Sequence, residues 1–274
     1  MSGSSLRRPN IPDWLETLAR VGFFTKGILY LTLGGLAAQQ AILGGGQVGG
    51  SKGAIRQMGE QPFGDVLLYV VTVGLVGYAL WKLLSAVLDP ERVGTDAKGI
   101  GKRIGYFASG LLHGSLAYAT FQLASGQGGG GSSKQSWIAT VMQQPGGQIA
   151  VGVVGGAIAI AAIMQIKKGF TQKFRRQIRI YTMSHTTERA TLFLGKAGHI
   201  ARGVVFGVIS YFVIDAAATY DPSQAAKGVG GALREIASQP YGMVLLAVVS
   251  LGLAAYGAYM LLASRYRYIP APRR

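Results

Sequence analysis

Six apolar stretches, each about 20 residues long, constrain what this chain can fold into more than anything else in it. They cover 21–43, 63–88, 104–124, 146–166, 197–219 and 241–263. A helix rises 1.5 Å per residue, so each run crosses the ~30 Å hydrocarbon core of a bilayer. The expected fold is all-α: a polytopic membrane protein with six transmembrane helices. Charged residues make up only 14% of the chain, against ~25% in soluble domains, and 42 of 274 positions are Gly, which lets helix backbones approach closely in lipid. With no Cys, disulfides and thiolate metal sites are excluded. The start, MSGSSLRRPNIPDWLE, lacks the apolar core and cleavage site of a secretory signal, so insertion is expected to use the first spanning helix.

The distribution of charge predicts an orientation. Of 27 Lys and Arg, 22 fall at the two ends and in the connectors around Arg92 and Arg176, and five fall in the three opposite connectors. Acidic residues divide six to five between the same sides, so the whole net charge of +16 lies on one face. The positive-inside rule assigns that face, with both termini, to the cytoplasm, and the expected location is a bacterial cytoplasmic membrane. Topology thus accounts for a pI near 10.2 without nucleic acid as a partner.

The chain also repeats itself. Arg20-Val-Gly22-Phe-Phe-Thr-Lys26-Gly27 is matched by Arg103-Ile-Gly105-Tyr-Phe-Ala-Ser109-Gly110 and by Lys196-Ala-Gly198-His-Ile-Ala-Arg202-Gly203. The last Gly of each is followed after 35, 35 and 37 positions by the Pro of Gln61-Pro62-Phe-Gly64, Gln144-Pro145-Gly-Gly147 and Gln239-Pro240-Tyr-Gly242. These offsets define an internal repeat of about 85 to 95 residues, divided as 1–95, 96–190 and 191–274. The pattern resembles a bacterial membrane family of three tandem two-helix domains that is known only as a domain of unknown function. The resemblance runs from about Ala19 to Ala263, implies the six-helix arrangement and carries no activity with it. Copy two departs most, with Ser109 where the others have Lys26 and Arg202. Since each copy has two spans, all three insert the same way and are expected to form a pseudo-threefold bundle, either packed solid or leaving a central path.

Before each elbow Pro, apolar residues mark one face of a short amphipathic helix: Ala54, Ile55, Met58 and Gly59; Trp137, Ile138, Val141 and Met142; Ala232, Leu233, Ile236 and Ala237. These helices are expected to lie on or dip into the outer interface, with Pro62, Pro145 and Pro240 in the first turn of the following span. Gly64, Gly147 and Gly242 then permit close approach to a neighbour. Gln61, Gln144 and Gln239 recur at one depth, as either a ligand-binding ring or three helix-start hydrogen bonds. Small residues at four-residue spacing, Gly101 with Gly105 and Ser109, Gly110 with Gly114, Gly152 with Gly156 and Gly203 with Gly207, suggest flat helix seams.

Polar groups inside the spans are the candidate functional residues: Asp65, Lys82, His113, His199, Arg202 and Asp215. Lys196, His199 and Arg202 stand in the first turns of their span, where long side chains can snorkel to headgroups. Twelve residues, about 18 Å of helix, separate Arg202 from Asp215, less than the hydrocarbon core. The basic segment 167–190 places Phe170, Phe174 and Ile178 four apart, as expected of an amphipathic helix on the anionic cytoplasmic leaflet. GQGGGG from Gly126 has no strand before it and reads as a linker rather than a dinucleotide site. No nucleophile with a base, acid pair or metal cluster emerges, and no cofactor is expected. The leading expectation is a non-enzymatic accessory or scaffold subunit, or a lipid-interacting module, with membrane lipids and other membrane subunits as partners. The alternative is a small transporter or channel along the pseudo-threefold axis.

Overall fold

The computed structural model describes residues 13–43, 50–89, 93–127 and 133–268. Most of both glycine-rich connectors, Arg92 and the chain ends lie outside the described residues, as does the side chain of Trp137. Among the described residues ten α-helices follow in order: α1 Asp13–Leu43, α2 Gly50–Gly59, α3 Gly64–Leu88, α4 Ala97–Ala124, α5 Ser133–Met142, α6 Gly147–Thr171, α7 His185–Thr219, α8 Pro222–Ala226, α9 Gly228–Ser238 and α10 Gly242–Tyr266. No strand occurs among the described residues apart from an isolated bridge between Ile178 and Arg267. Five helices, α1, α3, α6, α7 and α10, are long and apolar enough to cross a membrane, so this is a multi-pass membrane protein. At 28 residues α4 matches them in length but falls short in apolarity, with Lys98, Lys102 and Arg103 in its first two turns.

Each repeat packs on the next through one conserved geometry, and the series closes on itself: α3 on α4, α6 on α7, α10 on α1. The last glycine of the repeated signature explains why. A Cβ on Gly27 would lie 2.6 Å from Leu261 and 3.0 Å from the Gly257 carbonyl. On Gly110 it would meet Leu83 at 2.7 Å and the Ala79 carbonyl at 3.2 Å; on Gly203, Ile166 at 2.4 Å and the Ala162 carbonyl at 3.0 Å. These partners stand at equivalent places, 17 and 21 residues after each elbow Pro. The signature's leading basic residue serves the same interface. Arg20 donates to the carbonyls of Ser264 and Arg265 at the end of α10, and Arg103 to those of Ala86 and Val87 at the end of α3. Each thereby satisfies orphan carbonyls at the negative end of a helix dipole.

Contacts within a repeat are less regular. Helices α1 and α3 pack together, as do α7 and α10, while α4 and α6 share no comparable interface. Gly22 and Gly198 bring their helices against the backbones of Tyr78 and Tyr256, where a Cβ would come within 2.8 Å, whereas the equivalent Gly105 has open space around it. The ring of six long helices is thus tight at five junctions and slack at the sixth. The four-residue glycine seams split likewise: Gly110 and Gly203 are in close contact, while Gly101, Gly105, Gly156 and Gly207 face nothing within 4 Å.

The elbows differ from expectation in a physically clear way. The spans start at Gly64, Gly147 and Gly242, so Pro lies two residues before the helix rather than in its first turn. Gln-Pro-x-Gly is a β-turn: each Gly N–H donates to the Gln carbonyl at 2.7–2.9 Å. Its third residue, Phe63, Gly146 or Tyr241, is left-handed with φ of 60°, 75° and 58°. Pro at the second position and positive φ at the third are the marks of a type II turn. The elbow glycines do need close approach, but to the end of their own short helix: a Cβ would lie 2.0 Å from the Gly59 carbonyl, 1.8 Å from that of Val141 and 2.1 Å from that of Ala237. Helices α2 and α9 bury Ala54, Ile55, Met58, Ala232, Leu233 and Ile236 in the main core and pack on each other across the bundle end, so their apolar faces meet protein rather than lipid.

Segment 167–190 is not one amphipathic helix. Helix α6 ends at Thr171, Gln172 is left-handed, and two 3-10 turns, Lys173–Gln177 and Ile180–Thr182, lead to Ser184, whose side chain caps α7 by accepting from the Thr187 N–H. Phe170 is exposed, while Phe174 and Ile178 are buried, so the three share no face. Phe174 packs its ring on Tyr259 and against Gly195, and the strand-like stretch beyond it bonds to the end of α10 through Arg179 N–H to Tyr266 and Tyr268 N–H to Gln177. Burying an aromatic ring outweighs a continuous helix on the surface.

Candidate functional site

The repeat places chemically unlike residues at equivalent positions, and the closed ring turns them toward one another. Lys26 and Arg202, equivalent in copies one and three, face Tyr78 and Tyr256, each 16 residues after its elbow Pro. Lys26 Nζ donates to Tyr78 Oη at 2.9 Å, and Arg202 Nη1 to Tyr256 Oη at 2.6 Å. In copy two both partners are absent together: Ser109 replaces the cation and Ala161 the tyrosine. Rings from the next copy complete the stack, Tyr30 on Tyr256 at 4.8 Å between centroids and His113 on Tyr78 at 4.5 Å.

The cations share these rings. Lys26 lies 4.3 Å from the Tyr78 centroid and Lys82 5.8 Å from it, with Lys82 also 4.3 Å from Tyr106. Lys26 and Arg202 both approach Tyr30, and Arg202 sits 4.4 Å from Tyr256. Three like charges therefore lie in series, Lys82, Tyr78, Lys26, Tyr30, Arg202, Tyr256, along a path of aromatic faces. Lys26 is 2% exposed, and neither it nor Arg202 has a carboxylate within ion-pair distance among the described residues. Tyrosine faces attract a cation, and a hydroxyl accepts its hydrogen bond, but neither neutralises the charge.

A second layer adjoins it through Tyr256. His199, 2% exposed, stacks among Phe174, Tyr256 and Tyr259, and both its ring nitrogens are without a hydrogen-bond partner among the described residues. Tyr259 Oη and Trp81 Nε1, equivalent positions 19 residues after their elbow Pro and part of the same packed cluster, are unpartnered as well, as is Arg202 Nε.

Of the residues singled out from sequence, Lys82, His113, His199 and Arg202 come together here. Lys196 is exposed beside Phe170, as a snorkelling residue should be, but His199 and Arg202 turn into the protein rather than toward headgroups. Asp65 is exposed in the first turn of α3, favourable at a helix N-terminus, and Asp215 is half-buried four residues from the end of α7. Both acids thus stand near the helix ends that carry the elbows, away from the cations. The three glutamines are exposed and form no ring; Gln61 and Gln239 bond back to their own short helices. Lys26 was noted in sequence only as the basic residue that copy two lacks, and Tyr30, Tyr78 and Tyr256 escaped notice, although the joint loss of Lys/Arg and Tyr in copy two was a detectable signal. No group of three potential metal ligands occurs among the described residues.

Comparison with known proteins agrees with the repeat. The profile of the family described as Domain of Unknown Function (DUF1206) matches three times, at residues 21–89, 104–172 and 197–267. An uncharacterized protein, YxxB, of Bacillus subtilis (strain 168) is 37% identical over 256 residues, covering 93% of this chain and 92% of that protein. No solved structure matches the chain.

Proposed function

The chain belongs to the family of Domain of Unknown Function (DUF1206) proteins, and from its geometry we propose that it is a six-span, non-enzymatic module that works in the membrane by binding rather than by conducting. The observation that carries this is the packing of the bundle's elbow half. Leu33, Leu68, Leu75, Leu246 and Leu253 are nearly fully buried there and in mid-bundle, and α2 and α9 close the end. Acids near one end and cations toward the other are separated by this apolar core, which opposes a continuous polar path for an ion. In this reading α4 is the sixth span, both termini and the basic connectors face the cytoplasm of a bacterium, and the lipid-facing sides of α4 and α6 are available to lipids or to other subunits of a membrane assembly.

The transporter reading draws on one observation, the meeting of Lys82 and His113 on Tyr78. Purified protein in proteoliposomes decides between the two. No proton, cation or anion flux above that of empty liposomes is expected; flux that scales with protein and is lost in Asp215→Asn would overturn the binding reading.

A further inference from the structure

We infer that the cation–tyrosine cluster is a site for a phosphate oxyanion, entered from the side between α4 and α6. Lys26 and Arg202 are held by neutral hydroxyls alone, and Lys82 shares a ring with Lys26. An uncompensated charge inside a low-dielectric bundle is costly, and several like charges in series raise that cost. Unpartnered donors belong to the cluster packed around Tyr78 and Tyr256: Tyr259 Oη, Trp81 Nε1 and the His199 imidazole, whose N–H finds no acceptor among the described residues, and Arg202 Nε is unpartnered as well. Buried donors without acceptors in the same cluster as Lys26 and Arg202, which have no carboxylate within ion-pair distance among the described residues, form one deficit, and a phosphate oxyanion supplies both the charge and the acceptor oxygens that it lacks. Arg offers a fork and Lys a point charge, the two modes by which proteins hold phosphate.

The access route follows from copy two. There the cation and tyrosine are Ser109 and Ala161, Gly105 faces open space, and α4 and α6 lack the close packing seen within the other two copies. The centre is accordingly half-exposed at Tyr106, His113 and Arg202, while the equivalent side of copy one, at Phe23 and Lys26, is buried. Ser109 lies six residues, about 9 Å, inward of the capping Arg103. A phosphate group can come from a lipid headgroup drawn into the slack junction or from inorganic phosphate in solution; the chemistry recognised is the same. The site rests on the binding reading above only in being a dead end. Phosphate flux would sink that reading and leave the site standing, whereas absence of phosphate binding would sink the site alone.

The test is a thermal melt of the full chain in dodecyl maltoside at constant ionic strength, which holds screening of surface charge fixed. One arm adds inorganic phosphate, the other phosphatidylglycerol in place of a phosphate-free diacylglycerol glycolipid. A saturable rise in Tm is expected in at least one arm, and which arm identifies the source. Lys26→Met and Arg202→Met are expected to weaken the apparent affinity about tenfold or more, the value of a lost charge-assisted contact. Because replacing a buried, uncompensated charge by an apolar group is often neutral or stabilising, Lys26→Met should melt at or above the unsubstituted protein when no phosphate is present, a result that a purely structural lysine would not give. No rise in either arm, or an equal rise in both variants, overturns the site.

Discussion

Gly242→Ala tests the elbow most sharply. The added methyl would sit 2.1 Å from the Ala237 carbonyl oxygen, 2.5 Å from its carbon and 2.7 Å from the Ile236 carbonyl oxygen. Ordinary contacts of this kind begin at 3.4 Å, so from 2.1 Å the end of α9 has to retreat by about 1.3 Å. The obstacle is backbone, which cannot rotate aside as a side chain would. Retreat also moves Leu233 and Ile236, both buried in the main core. Overpacking a tight core by one methylene costs about 1–3 kcal/mol, and with backbone on both sides the upper part of that range is expected. Pro240→Ala loses only preorganisation of a turn that the Gly242 N–H to Gln239 bond still closes at 2.7 Å, a cost of about 0.4–1 kcal/mol. Thermal melting in detergent should therefore rank Gly242→Ala well below Pro240→Ala, with Gly64→Ala and Gly147→Ala behaving alike, and Gly101→Ala, which meets open space, near the unsubstituted protein. Equal melting of the Gly and Pro variants would refute the close-approach argument.

Arg103→Gln removes the side chain that satisfies two carbonyls at the end of α3 and should lower stability by about 1 kcal/mol in the same assay, while the exposed neighbour Lys102→Gln changes little. In a chain without Cys, Ser184→Cys should resist an impermeant thiol reagent in intact cells and Ser223→Cys should react; the reverse pattern inverts the orientation. Asp221 caps α8, and hydrogen bonds from Ser223 hold its carboxyl below the usual aspartate range. Its contribution is present above the unfolded-state pKa of ~3.9 and fades as pH falls through the lowered folded value. The stability gap between the protein and Asp221→Ala, followed by melting, should therefore narrow on acidification and stay flat above neutrality.

How much was legible in the sequence depended on whether a feature is local. The all-helical fold, the long apolar helices, the short helices before each elbow and the threefold repeat follow from runs and spacings that a bilayer and a helix impose on any chain. The basic-x-Gly signature was visible too, but its reason was not. Arg20 and Arg103 reach carbonyls on a helix of the preceding copy, in one case 244 residues distant, and only closure of the ring brings them there. Segment 167–190 carried an i, i+4 pattern sufficient for a helix, yet burial of Phe174 against Tyr259 competes with that pattern and wins, and no periodicity records the competition. Arg202 illustrates the general case. From sequence it is a long side chain near an interface, equally able to reach outward to headgroups or inward to Tyr256, because the helix sets its depth and not its direction. The direction is decided by where Tyr256 lies, and that by the contact of Gly198 with the backbone of α10, an interaction between helices that becomes neighbours only when the bundle assembles.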